Sequence, residues 1–76
     1  MTEPVQIKEW IEAGMPDASV AVEGDGAHFE AVVISAEFTG KNLIARHRIV
    51  YDALGDKMKQ EIHALSLKTL TPEESQ

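Results

Sequence analysis

Ala64-Leu65-Ser66-Leu67-Lys68-Thr69-Leu70 alternates as a half-buried β-strand does, with a period of two. What stands before it makes this stretch decisive. Leu43, His47, Val50, Leu54 and Met58 recur at steps of three and four, which predicts a helix over 43–54. Gly55 can end that helix, and Asp56 can cap a short third one through about Glu61. Further upstream, Ser19 to Glu23 alternates with Val20 and Val22 on one face. After Gly24-Asp25-Gly26, His28 to Ser35 is rich in β-branched residues, so the two segments form an antiparallel hairpin. A strand reached through helices returns parallel and right-handed to the sheet it left. The last strand is therefore expected beside the second and parallel to it.

The N-terminal segment completes the order. Thr2 can cap a helix that opens with Glu3 and Pro4, carries Ile7, Trp10 and Ile11 as an apolar stripe, and stops at Gly14 and Pro16. The predicted architecture is α+β, αββααβ, a three-stranded mixed sheet with helices packed on one face and the other face open. Thr71-Pro72-Glu73-Glu74 can add one helical turn. A turn is expected at Phe38-Thr39-Gly40-Lys41. Within the second strand Phe29, Ala31 and Val33 share one face, so a core containing Phe29 leaves His28 pointing outward.

Composition narrows the functions available. Seventy-six residues make one domain, 1–76, whose core is modest, because a chain near this length buries only about 60% of its unfolded surface. With no cysteine there is no disulfide, no thiol nucleophile and no thiolate ligand. Met1 to Gly14 mixes Glu, Lys and Gln with apolar residues, unlike a signal peptide or membrane span, and a cytoplasmic location is expected. A net charge of −6 disfavours a polyanionic partner, although Lys41, Arg46, Arg48, Lys57, Lys59 and Lys68 gather in the second half. Ser35 and Ser66 lack a nucleophile-elbow context, and no pair of groups is spaced for acid–base work, so an enzyme is not expected.

Three histidines are the chain's only imidazole ligands, the commonest metal-binding side chain and the one that titrates near neutrality. His47 falls on the apolar stripe of the second helix and reads as a core-edge residue. By pattern alone, His28 reads as an exposed strand residue and His63 as a junction between the third helix and the last strand.

Taken together, Asp25-Gly26-Ala27-His28-Phe29, Val33-Ile34-Ser35, Phe38-Thr39-Gly40-Lys41, Arg46-His47-Arg48-Ile49-Val50-Tyr51 and the run Ile62-His63-Ala64-Leu65 through Glu73 resemble the BolA family, in its short, IbaG-like form. The resemblance covers nearly the whole chain, and the F-x-G-K, R-H-R and I-H-A-L blocks in this order are specific. It implies a fold similar to class II KH domains. Where KH domains carry G-x-x-G, Leu54-Gly55-Asp56-Lys57-Met58 has one glycine and an acidic residue.

The resemblance further implies a non-enzymatic adaptor that binds a monothiol glutaredoxin and shares a [2Fe-2S] cluster with it and with glutathione. The histidine of I-H-A-L, His63, would be a ligand. The second family ligand comes from the region between the first two strands, where the candidate is His28. The expected partner surface comprises Phe38, Gly40, Lys41, Arg46 and His63. Alone, the chain is expected to hold no cluster and to be a monomer or weak homodimer. The competing expectation is a DNA-binding transcriptional regulator using a basic, helix-turn-helix-like segment, 41–59, with Lys41, Arg46, Arg48, Lys57 and Lys59.

Overall fold

The computed structural model describes residues 1–76. Its elements are α1 (Pro4–Gly14), β1 (Ser19–Gly24), β2 (His28–Ile34), a 3-10 turn (Ala36–Phe38), α2 (Leu43–Leu54), α3 (Lys57–Gln60) and β3 (Ala64–Leu70). The sheet order is β1-β2-β3, with β1 antiparallel and β3 parallel to β2. The expected mixed sheet is therefore present.

Local chemistry sets the boundaries. Pro4 opens α1, where a missing N–H costs nothing, and Glu3 rather than Thr2 is the N-cap. Glu3 and Gln6 cap one another reciprocally, and the Thr2 hydroxyl donates instead to the Glu61 carbonyl at 2.5 Å. The Thr2 hydroxyl thus ties the N-terminus to the end of α3. Asn42 caps α2 through the Ala45 N–H. Asp56 precedes α3 without making a side-chain cap.

The core lies between the helices and one face of the sheet. Ile7 and Ile11 of α1, Phe29 and Val33 of β2, Phe38, and Val50 of α2 have essentially no exposed surface. Each such side chain contributes about 1.5–3 kcal/mol by leaving water. Ser35 is buried too, because its hydroxyl donates to Asp17 at 2.9 Å and accepts the Glu37 N–H at 3.0 Å, which starts the 3-10 turn.

Strand parity assigns the uncovered face. Phe29, Ala31 and Val33 point into the core, so His28, Glu30, Val32 and Ile34 point out. Their parallel partners Ala64, Ser66, Lys68 and Leu70 share that face, as do Ile34, Val32 and Glu30's antiparallel partners Ser19, Ala21 and Glu23. No helix is long and apolar enough to cross a membrane.

Candidate functional site

The register of the parallel pair brings two distant histidines together. His28 is the first residue of β2 and lies opposite Ala64, the first of β3, so His63 stands immediately before the strand that meets it. The Ala64 N–H donates to the Ala27 carbonyl at 3.2 Å and locks the starts of the two strands side by side. The His28 and His63 ring centroids are 5.9 Å apart, with the rings nearly perpendicular. Both histidines are exposed, and the side chain of His28 is 73% so.

The loop before β2 holds His28 in place. Asp25 Oδ1 accepts the Ala27 N–H at 2.9 Å and the His28 N–H at 2.8 Å, while the Asp25 N–H donates to the His28 carbonyl at 3.2 Å. Those donated hydrogen bonds, His28's first, pull the Asp25 carboxyl below its ordinary value. Asp25 Oδ2 lies 4.0 Å from His28 Nδ1. This carboxylate, which sequence reasoning took only as part of a turn, thus sets the path of the chain into the histidine.

The other expected site residues divide differently. Phe38 is fully buried, so it supports its turn from within and presents no surface to a partner. Arg46 is not free either. Its guanidinium donates to Glu74 at 2.6 and 3.2 Å, to the Lys41 carbonyl at 2.8 Å and to the Thr69 carbonyl at 3.3 Å, leaving the side chain 14% exposed. The guanidinium and the Thr71 N–H hold the Glu74 carboxyl down at about 2. Glu74 also forms a reciprocal cap with Thr71, the T-x-x-E pattern that the sequence displayed without revealing Arg46 as its partner.

Arg46 reaches Thr69, near the end of β3, whereas His63 precedes its start. Six residues of strand separate them by about 20 Å. The single surface expected around His63, Arg46 and the turn at 38–41 is therefore two patches at opposite ends of β3. Gly40, Lys41 and Arg48 line a groove beside the start of α2, together with Asn42 and Asp52. Lys57 sits 5.0 Å from the centre of the Trp10 ring, and Lys59 is exposed. His47 behaves as a core-edge residue, with Nε2 buried and unpartnered and its ring edge-on to Tyr51.

Comparison with known proteins gives the lineage. The family model for BolA-like proteins matches residues 11–74. The chain belongs to the BolA family. A solved BolA homologue from Coxiella burnetii has 53% identity and a TM-score of 0.93, over 99% of this chain and 97% of that one. The BolA domain of SufE1 from Arabidopsis thaliana has 34% identity and a TM-score of 0.78, over 93% of each chain. The DNA-binding transcriptional regulator BolA of Escherichia coli is 39% identical over 51 residues, 67% of this chain and 49% of that protein. The chain spans half or less of the length of several curated relatives it matches, and 84% of one from Acinetobacter guillouiae.

As donors, the two imidazoles have the chemistry to hold a metal ion. They are adjacent, exposed and anchored where rigid strands begin, and no third His, Asp or Glu joins them in a metal-binding group. Neither surface groove is lined by His28 or His63.

Proposed function

We propose that this BolA-family chain is a non-enzymatic adaptor that binds a monothiol glutaredoxin and shares a [2Fe-2S] cluster with it through His63 and His28. The observation that carries the reading is the exposed pair of imidazoles with ring centroids 5.9 Å apart at the joined starts of β2 and β3. Neutral imidazole replaces thiolate on iron in Rieske centres, where it makes the cluster less negative and raises its potential. A chain without cysteine supplies only this nitrogen half, so the thiolates come from the glutaredoxin and glutathione. Ala27 and Asp25 fix the backbone at His28, and Ala64 fixes it next to His63, so the donors are held before a partner arrives.

Anaerobic titration into cluster-loaded monothiol glutaredoxin with glutathione, read by visible circular dichroism, tests this. The wild type should change the spectrum, His63→Ala should not, and His28→Ala should alter the final form. An unchanged spectrum with the wild type, or an equal change with His63→Ala, refutes the proposal.

A second reading, DNA binding, draws on the name of the Escherichia coli relative and on Lys41 and Arg48 lining one groove. Of the five cations expected on that surface, Arg46 is neutralised by Glu74. Affinity for duplex DNA that falls steeply with salt, and falls again in Lys41→Ala/Arg48→Ala, would favour it.

A further inference from the structure

The open face of the sheet carries a contradiction. Glu23 and Glu30 lie directly opposite one another across β1 and β2, both exposed and on the uncovered side. Like charges in that position destabilise a sheet. Neither carboxylate forms an ion pair, and Lys68, on the same face two residues along β3 from Glu30's neighbour Ser66, forms none either. A shallow trough runs between β2 and β3 beside the pair, lined by Glu30, Val32, Ser66 and Lys68 among others. Val32 and, beyond it, Ile34 and Leu70 are only half-buried there. This face is continuous with the candidate site, because His28 points to the same side of β2 as Glu30.

We infer that the open face is the docking surface for the glutaredoxin partner, which sets basic side chains against Glu23 and Glu30 and an apolar strip against Val32, Ile34 and Leu70. The inference rests on the cluster-sharing reading and assigns it a footprint. A partner whose iron reaches His28 stands over the end of this face, and covering the trough extends that contact along the strands. The ion pair that neither carboxylate makes within the monomer is made with the partner. A carboxylate pair that weakens the free chain thus strengthens the complex and steers its formation. A second copy of this chain fits less well, since it brings its own net charge of −6 and a single lysine to this face.

The sheet geometry makes Glu30→Lys a sharp test, because it places Lys opposite Glu23 and should stabilise the free protein. Glu9→Lys, an exposed position on α1, is the control with the same change in net charge. In the anaerobic titration, Glu30→Lys should raise its melting temperature yet need about tenfold more protein to reach the same dichroism, while Glu9→Lys follows the wild type. Glu23→Lys/Glu30→Lys should bind more weakly still. If Glu30→Lys titrates within about twofold of wild type while His63→Ala abolishes the signal, the partner docks elsewhere and cluster sharing survives. If the wild type gives no signal, both fail.

Discussion

Gly24→Ala is the substitution with which the fold can be turned against the site. The residue ends β1 opposite Phe29, and a Cβ there would collide with the His28 carbonyl oxygen and stand 2.6 Å from Phe29 Cδ1 and 2.9 Å from Phe29 Cα. Ordinary contact needs close to 1 Å more, and two of the three obstacles are backbone, so the strands must part where His28 sits. Overpacking of this kind costs about 1–3 kcal/mol. The loss of glycine's freedom in the unfolded chain offsets about 0.4–1 kcal/mol of it. The two ranges leave a net centred on about 1.3 kcal/mol, and with an unfolding entropy of about 160 cal/mol/K for 76 residues that central value lowers Tm by about 8 °C. That is a large share of a total stability of about 4–11 kcal/mol for this length. Gly55→Ala is the counterpart, with strain from φ +57° but nothing within 4 Å to strike. Both variants should melt early, and only Gly24→Ala should shift the amide resonances of His28 and Phe29. A Gly24→Ala protein that melts within about 2 °C of wild type, far less than the central shift of about 8 °C, with those resonances unmoved, would refute the steric argument.

Other outcomes follow from the same contacts. Phe38→Ala should cost about 3–5 kcal/mol and leave the chain close to unfolding by urea, as a core residue does and a contact residue does not. Ser35→Ala should lose about 1–2 kcal/mol in the same assay, because it removes the buried cap that also ties Asp17 to the turn. The Glu74 carboxyl is depressed from 4.5 to about 2 in the folded chain, so its stabilisation is complete above the unfolded value and fades as acid approaches 2. Acid denaturation should therefore separate wild type from Glu74→Gln at pH 6 and bring them together between 4.5 and 2; parallel curves would contradict the role given to Arg46. His63→Ala, at an exposed position, should change stability by less than about 0.5 kcal/mol while abolishing the dichroic change with glutaredoxin.

Elements with a clear period were legible in the sequence. The stripe through Val50 and Leu54 defined α2, and the alternation in 64–70 defined β3 with the bounds the structure shows. Parity alone placed His28 on the outer face. What escaped were interactions whose partners lie far apart along the chain. Arg46 looked like a free cation because nothing near it in sequence could neutralise it, yet Glu74 lies 28 residues away. Phe38 sat in a turn, where exposure is the usual expectation, and only the packing of α2 and the sheet encloses it. Thr2 had the chemistry of an N-cap, but Pro4 at the first turn moves that cap to Glu3 and frees Thr2 for Glu61. Leu43 continued the stripe of α2 and is nonetheless 63% exposed, because it opens the helix beyond the residues that pack.

The two histidines are made neighbours by topology, and the register leaves little tolerance. They are 35 positions apart, and β2 and β3 are joined only through α2 and α3, yet the parallel return sets Ala64 against His28. A slip of one residue in β3 would move Leu65 and Leu67 out of the core face and put Ser66 and Lys68 into it. The apolar pattern that stabilises the sheet is thus the same constraint that fixes His63 beside His28. At the other end of β3, Arg46 holds the Thr69 carbonyl, and Glu74 holds Arg46. This clamp pins the end of β3 that is remote from the imidazoles. Arg46, which resembled part of a binding surface, thereby stabilises the register on which the histidine pair depends.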